Sequence, residues 1–137
     1  MDRTRLKVRL VAKEGDRRFP YRDTEGHLTI GVGHNLDGRP LSDAVARQLL
    51  DEDIDIAETA AKRYAWYDAL DDTRQRVVVE MIFNLGAVRF ANFRQTLAYL
   101  TAGMYGAAAD EMLDSKWAKQ VHGRATELAE MMRTGKG

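Results

Sequence analysis

Apolar residues recur at helical spacing through most of the chain, and they alternate with polar residues in only one stretch. At the amino end, an apolar stripe within residues 6–11 predicts a first helix that Asp2 or Thr4 caps and that runs to about Lys13. Glu14 follows at the exit of this helix, where the negative end of the helix dipole disfavours a charged carboxylate. A glutamate in that position suggests a functional reason.

The alternating stretch predicts a β-hairpin. Residues 17–22 and 27–33 are expected to be strands, joined by the turn Asp23-Thr24-Glu25-Gly26, in which Gly supplies the left-handed position. Alternate side chains of a strand fall on opposite faces. The apolar face of the second strand is expected to hold Leu28, Ile30 and Val32. The opposite face is expected to hold Thr29, His27, Gly31 and Gly33.

The rest of the chain is predicted to be helical. Ser42 caps a long helix that reaches about Tyr64, and Asp72 opens a nearly all-apolar, buried helix that Gly86 ends. Further helices are expected at residues 92–103, 106–115 and 123–133, the first capped by Asn92 and the last followed by Gly135. The long helix spans on the order of 30 Å. It is therefore expected to join a hairpin lobe to a helical lobe, with a cleft between them.

Composition narrows the classes of function. The length of 137 residues suits one domain, and the lack of cysteine excludes disulfides, thiolate zinc sites and a cysteine nucleophile. The formal charge is zero, from 21 basic and 21 acidic residues, which argues against a nucleic-acid binder. We find no signal-peptide core and no run of about 18 apolar residues. We therefore expect no export signal and no stable membrane insertion.

Glu14 and Asp23 are candidates for the two carboxyl groups that glycoside cleavage needs, one protonated to donate to the leaving oxygen and one ionised. The helix end favours the acid form of Glu14, whereas a turn leaves Asp23 solvated and charged. Taken singly, each has a simpler explanation, Glu14 as a surface acid and Asp23 as a turn former. Thr29 is likewise a common strand residue. Their coincidence at one hairpin favours an active site.

The spacing of these residues resembles the catalytic signature of the phage lysozymes of the T-even type, family 24 glycoside hydrolases that hydrolyse peptidoglycan. Glu14, Asp23 and Thr29 match its three positions, the last within Thr29-Ile30-Gly31-Val32-Gly33-His34. The resemblance extends across nearly the whole chain. Its further matches are Asp53-Ile54-Asp55, Ile82-Phe83-Asn84-Leu85-Gly86, Ser115-Lys116-Trp117, Arg124 and Arg133-Thr134-Gly135.

The resemblance implies a role for each matching residue. Glu14 would be the general acid, Asp23 would assist the attacking water or stabilise positive charge on the sugar, and Thr29 would help to position that water. Gly31 belongs to the same signature and would support the substrate site.

Three residues of the second half are implied to support the substrate site. Asn84 and Gln120 match amide positions that line the saccharide groove, and amides both donate and accept hydrogen bonds. Arg124 would pair with the catalytic Glu14, fix its carboxylate and oppose the effect of the helix end. The alternative for Arg124 is a solvated arginine at the start of a helix.

Two further matches are implied to be structural. His34 and Asp53 would form an ion pair that ties the hairpin lobe to the long helix, and a metal site at His34 is the alternative. Trp117 is expected to pack beneath the cleft rather than to stack on sugar.

The resemblance also implies a lysozyme-like α+β fold, mostly helical, in a single domain. The hairpin lobe would cover about 14–41, the connecting helix about 43–64, and the helical lobe 1–13 plus 65–137. The implied activity is that of a muramidase, which cleaves the β-1,4 bond between N-acetylmuramic acid and N-acetylglucosamine with inversion and without a cofactor or metal.

The implied setting is a monomer that is made in the host cytoplasm and acts on peptidoglycan glycan strands after release. Access to the wall would need a holin-like helper or delivery within a virion. Two alternatives stay open from the sequence. One is a non-catalytic wall-binding relative, and the other is a lytic transglycosylase that uses Glu14 alone. The connection at 35–41 is shorter than in the longest family members, so a smaller hairpin lobe is expected.

Overall fold

The computed structural model describes all 137 residues and shows a mostly helical α+β fold, as predicted. The helices are α1 Arg3–Glu14, α2 Asp43–Ala61, α3 Asp72–Leu85, α4 Ala87–Ala91, α5 Arg94–Thr101, α6 Tyr105–Leu113, α7 Lys116–Val121 and α8 Gly123–Thr134. The strands are β1 Arg17–Arg22, β2 Leu28–Gly31 and β3 His34–Asn35. The chain divides into two compact units, 1–48 and 49–137, with the boundary inside α2.

Helix α1 forms where the apolar stripe predicts it. Asp2 is its cap, because its side chain accepts from the backbone N–H of Arg5 at 2.9 Å, and Glu14 is its last residue. Gly15 ends it with a φ of +78°, while its N–H donates to the carbonyl of Val11. None of its residues is buried.

The sheet of the first unit has three antiparallel strands in the order β1-β2-β3, one more than predicted. Tyr21 pairs with Thr29, and Thr29 pairs in turn with Asn35 on β3. The expected second strand is shorter than residues 27–33, because Gly31 and Gly33 adopt positive φ angles of +64° and +67° and turn the chain into β3. The glycines therefore shape a turn that the alternating pattern does not reveal.

Burial on β2 differs from the expected division of faces. Thr29 is its only buried residue, at 3 % exposure, whereas Leu28 and Ile30 are half-buried. Val32 lies beyond the strand and is exposed. The most enclosed side chain of β2 is therefore that of Thr29 and not one of the apolar residues, and the strand ends at Gly31.

Helix α2 begins as predicted, with the Ser42 hydroxyl accepting from the N–H of Val45 at 3.2 Å. It ends at Ala61 rather than Tyr64. The hydrogen bonding changes there to the 3₁₀ pattern, because the N–H groups of Arg63 and Tyr64 donate to carbonyls three residues back. A 3₁₀ turn follows at Tyr67–Ala69.

Helix α3 forms the centre of the second unit and packs against α4 and α8. Asp71 caps it, and Gly86, with a φ of +82°, ends it as predicted. Its buried side chains are Thr73, Val77, Val78, Met81, Ile82 and Leu85. Phe83 is 43 % exposed, so the expectation of burial on nearly all sides is wrong for that face.

Two short helices, α4 and α7, were not predicted. Asn92 closes α4 instead of capping α5, whose preceding residue Phe93 provides no side-chain cap. Ser115 caps α7 by accepting from the N–H of Ala118 at 3.0 Å. Helix α8 ends at left-handed Gly135, as predicted. No helix is both long and apolar enough to cross a membrane.

Candidate active site

Glu14 stands at the carboxyl end of α1, and its side chain reaches the turn between β2 and β3. A Cβ placed on Gly33 would lie 3.1 Å from Oε2 and 3.3 Å from Cδ of Glu14. The carboxyl group therefore rests against the bare backbone of Gly33. A side chain at that residue would have to displace it.

Asp23 begins the turn after β1, and two backbone N–H groups hold its carboxylate. Oδ1 accepts from the N–H of Glu25 at 2.9 Å and from that of His27 at 2.8 Å. The hydrogen bond from His27, aided by that from Glu25 and opposed in part by desolvation, lowers the pKa of Asp23 below its ordinary value. Asp23 is therefore held as an oriented carboxylate, the state that the turn predicts.

Thr29 is buried in β2, and its hydroxyl donates to the carbonyl of His27 at 2.9 Å. This bond fixes the direction of the hydroxyl proton and leaves the oxygen lone pairs as acceptors. Asp23 and Thr29 are thus joined through a single residue, His27. The three predicted catalytic residues all lie in the first unit.

Two further predicted site residues of this unit, Gly31 and His34, lie on either side of the turn between β2 and β3. Gly31 has a φ of +64° with open space where a Cβ would be, so its contribution is the backbone bend. His34 pairs with Ile30 across β2 and β3, and its Nε2 is buried without a hydrogen-bond partner. Asp53 is exposed on α2 in the second unit, so its pairing with His34 would join the two units and stays a prediction.

Arg124 is the second residue of α8, and its Nε donates to Oε1 of Glu80 on α3 at 2.9 Å. Both side chains are partly exposed, at 40 % and 42 %. Glu80 was not recognised from the sequence, because only the packing of α3 against α8 brings it to Arg124. The pairing of Arg124 with Glu14 stays a prediction.

Asn84 and Trp117 are joined by a hydrogen bond from the indole Nε1 to Oδ1 at 2.8 Å. Trp117 is 3 % exposed and meets the ring of Phe93 edge-on at 6.2 Å, as the packing interpretation of this tryptophan expects. Asn84 is exposed, and so is Gln120 on α7. Beside Trp117 lies a groove of about 430 Å³, whose charged rim consists of Arg89, Arg94, Glu111, Asp114 and Lys116.

No three His, Asp or Glu side chains are grouped as metal ligands would be. The chemistry that the first unit offers is that of carboxyl, hydroxyl and imidazole groups. It suits proton transfer and the stabilisation of a cation, which glycoside cleavage requires.

Comparison with known proteins decides the family. The family model described as phage lysozyme matches residues 11–133. The chain belongs to the phage lysozyme family. This match includes Glu14, Asp23 and Thr29 and extends to Arg133 in the last turn of α8. The resemblance seen in the sequence is confirmed.

Several relatives share most of their length with this phage lysozyme. "Probable T4-type lysozyme 2" of Dictyostelium discoideum is 26 % identical, with 95 % of this chain and 94 % of the relative aligned. The SAR-endolysin of Escherichia phage Mu is 31 % identical over 88 % of this chain and 74 % of its own. The endolysin of Salmonella phage P22 is 33 % identical over 77 % of each chain. The protein is thus a lysozyme-type peptidoglycan hydrolase.

The spacing of the sequence located the catalytic candidates but missed two residues that hold them, His27 and Gly33. His27 was assigned only to a strand face, although its position four residues after Asp23 places its N–H within reach of a turn carboxylate. Gly33 was likewise assigned only to a strand face, and in the structure the carboxyl group of Glu14 lies against it.

Proposed function

We propose that this phage lysozyme hydrolyses the β-1,4 bond between N-acetylmuramic acid and N-acetylglucosamine. The observation that supports this most directly is the joint fixation of Asp23 and Thr29 by His27. A fixed carboxylate and a fixed hydroxyl oxygen can together hold one water, because each can accept one of its protons.

In the proposed reaction Glu14 is the general acid. It donates its proton to the glycosidic oxygen while positive charge develops on the departing sugar ring. Asp23 stabilises that charge and assists the attack of water, and Thr29 positions the water. We further propose inversion at the anomeric carbon, since an activated water rather than an enzyme carboxylate forms the new bond.

Asn84, Gln120 and Arg124 are proposed to support substrate binding. The amides of Asn84 and Gln120 suit the hydroxyl and N-acetyl groups of the glycan, and both are exposed. Arg124 uses its Nε donor to bind Glu80, which leaves the N–H groups at the end of the guanidinium to bind another group.

The decisive test compares wild type with Glu14→Gln, which keeps the shape of the side chain and removes its acidic proton. We expect wall clearing to fall at least a hundredfold, within the range attributed to a positioned general acid. Glu130→Gln is a matched control, because Glu130 is exposed on α8 and its carboxylate pairs with Arg133, at 3.8 Å. Equal clearing by wild type and Glu14→Gln would overturn the proposal.

Analysis of the products separates the competing reactions. Hydrolysis gives fragments that end in reducing N-acetylmuramic acid, whereas a lytic transglycosylase gives anhydromuropeptides. A non-catalytic wall-binding protein gives neither. Anhydro products from the wild-type protein would replace the hydrolase proposal by the transglycosylase alternative.

A further inference from the structure

His27 makes three contacts with two of the proposed catalytic residues, Asp23 and Thr29. Its backbone N–H donates to Oδ1 of Asp23 at 2.8 Å, and its carbonyl accepts from the hydroxyl of Thr29 at 2.9 Å. Its imidazole Nδ1 lies 3.5 Å from the other oxygen of Asp23, Oδ2. The two oxygens of the carboxylate are therefore approached by the backbone and the side chain of the same residue.

The side-chain contact can be separated from the backbone contacts. Any substitution except proline keeps the N–H and the carbonyl of residue 27, so the turn and the Thr29 bond remain. Only the imidazole next to Oδ2 changes. The side chains of His27 and Asp23 are 44 % and 34 % exposed, so removing the imidazole opens no cavity in a core.

We propose that the His27 imidazole is a positioning residue for Asp23 and makes the effective charge of that carboxylate dependent on pH. The proposal rests on the function proposed above for Asp23. A neutral imidazole with its proton on Nδ1 directs Oδ2 without cancelling its charge. A protonated imidazole forms an ion pair with Asp23 and weakens its pull on a sugar cation or a water proton.

The charged groups around the imidazole are few. Asp23 and the exposed Glu25, whose Oε2 lies 3.7 Å from Nδ1, are the carboxylates that face it. The backbone on either side of His27 meets two further charged groups: Arg22 donates to the carbonyl of Gly26, and Asp37 accepts from the N–H of Leu28. Arg22 and Asp37 lie 3.8 Å from each other and offset one another's charge. Asp23 is thus the catalytic group that the charge of His27 affects.

The test measures kcat and KM on soluble glycan fragments for His27→Ala and His27→Asn from about pH 5 to 8, the range in which histidines ordinarily change charge. Asn keeps a neutral N–H donor near the place of Nδ1. Thr24→Ala is the control, because Thr24 is exposed in the same turn and its side chain makes no hydrogen bond. Thermal unfolding of each variant verifies that it is folded.

For His27→Ala we expect kcat to fall about tenfold with little change in KM, while Thr24→Ala stays at the wild-type rate. His27→Asn should recover most of this loss near neutral pH. Its kcat should also decline less than that of wild type as the pH falls, because it cannot become charged. A kcat for His27→Ala that equals wild type throughout, or an equal loss in His27→Ala and His27→Asn with an unchanged pH profile, would overturn the inference.

The same assay distinguishes this inference from the proposed function. If Glu14→Gln is inactive and His27→Ala behaves as wild type, only the role of His27 fails. If Glu14→Gln is as active as wild type, the catalytic assignment fails first, and the role of His27 with it.

Discussion

The carboxyl group of Glu14 lies tightly against Gly33, where a Cβ would be only 3.1 Å from Oε2 and would push the carboxyl group aside. Gly33 also has a φ of +67°, which residues other than glycine rarely adopt. Two separate requirements therefore converge on one glycine. One is the positive φ angle of the backbone, and the other is the room needed by the carboxyl group of the proposed general acid, Glu14.

Gly33→Ala should lower activity far more than stability. Backbone strain should cost about 1–2 kcal/mol, and displacement of the Glu14 carboxyl should reduce kcat by about tenfold or more. Gly103→Ala is the matched control, because Gly103 has a φ of +70° with open space where the Cβ would be. Calorimetry and fragment hydrolysis measure both effects. An equal loss of activity in the two variants would show that strain alone is responsible.

Asp23 should contribute to stability in a pH-dependent way. Its pKa in the folded chain is lowered, chiefly by the N–H of His27, so its contribution is fully present above the unfolded aspartate pKa of about 3.9. That contribution is lost as the pH falls through the lower folded value. Wild type should therefore lose more Tm than Asp23→Asn between about pH 5 and 3. Parallel curves for the two proteins would contradict this expectation.

Trp117 should stabilise the second unit mainly by packing and only secondarily by its hydrogen bond. Trp117→Phe removes the bond to Asn84, which is exposed and can bind water instead, and should cost about 1 kcal/mol plus the difference in packing. Trp117→Ala should cost about 3–5 kcal/mol, because this side chain is buried. Urea unfolding measures both values. A Trp117→Phe variant as unstable as Trp117→Ala would give the hydrogen bond the larger share.

A side chain at Gly135 should disturb Arg74, whose guanidinium binds the last carbonyl groups of α8. Its guanidinium donates to the carbonyls of Met132 and Arg133 at 2.7 and 3.0 Å, and a Cβ on Gly135 would lie 2.8 Å from its Nη1. Gly135→Ala should therefore lower stability by about 2–3 kcal/mol, more than Gly103→Ala, because a contact clash is added to similar backbone strain. Thermal unfolding compares the Gly135→Ala and Gly103→Ala variants. Equal Tm values would show that the Arg74 side chain moves aside with no loss of stability.

Wall clearing should depend little on salt. The formal charge is zero, so long-range attraction to an anionic wall is weak and there is little for salt to screen. Clearing rates at low and physiological ionic strength should therefore be similar. A steep fall with added salt would indicate that the basic segment at residues 1–22, with eight Lys and Arg against three acids, dominates binding.

Local signals made several elements predictable. The Asp2 cap, the Ser42 cap and the glycines at 86 and 135 each act within a few residues of the helix end that they define. The spacing of Glu14, Asp23 and Thr29 likewise falls within one segment. Sequence was informative where the structural cause and its effect are close together along the chain.

The features that the sequence did not predict depend on tertiary packing or on the geometry of a turn. Helix α4 is only five residues long, and Phe90, fully buried within it, packs against Tyr64 and Phe93. An isolated helix that short is unstable without such packing. The pair of Arg124 with Glu80 joins residues 44 positions apart, so no local pattern could reveal it. Strand β3 depends on the positive φ angles of Gly31 and Gly33, which permit a second reversal after β2.

The hydrogen bond between Trp117 and Asn84 also sets the polarity of an exposed amide. An indole N–H can only donate, so the atom of Asn84 that it meets must be the oxygen, and the amide nitrogen must point the other way. In the proposed substrate role Asn84 therefore presents donors. An acetamido carbonyl can accept from them, whereas the ammonium group of a deacetylated sugar cannot. Glycan that a bacterium has deacetylated should accordingly be the poorer substrate.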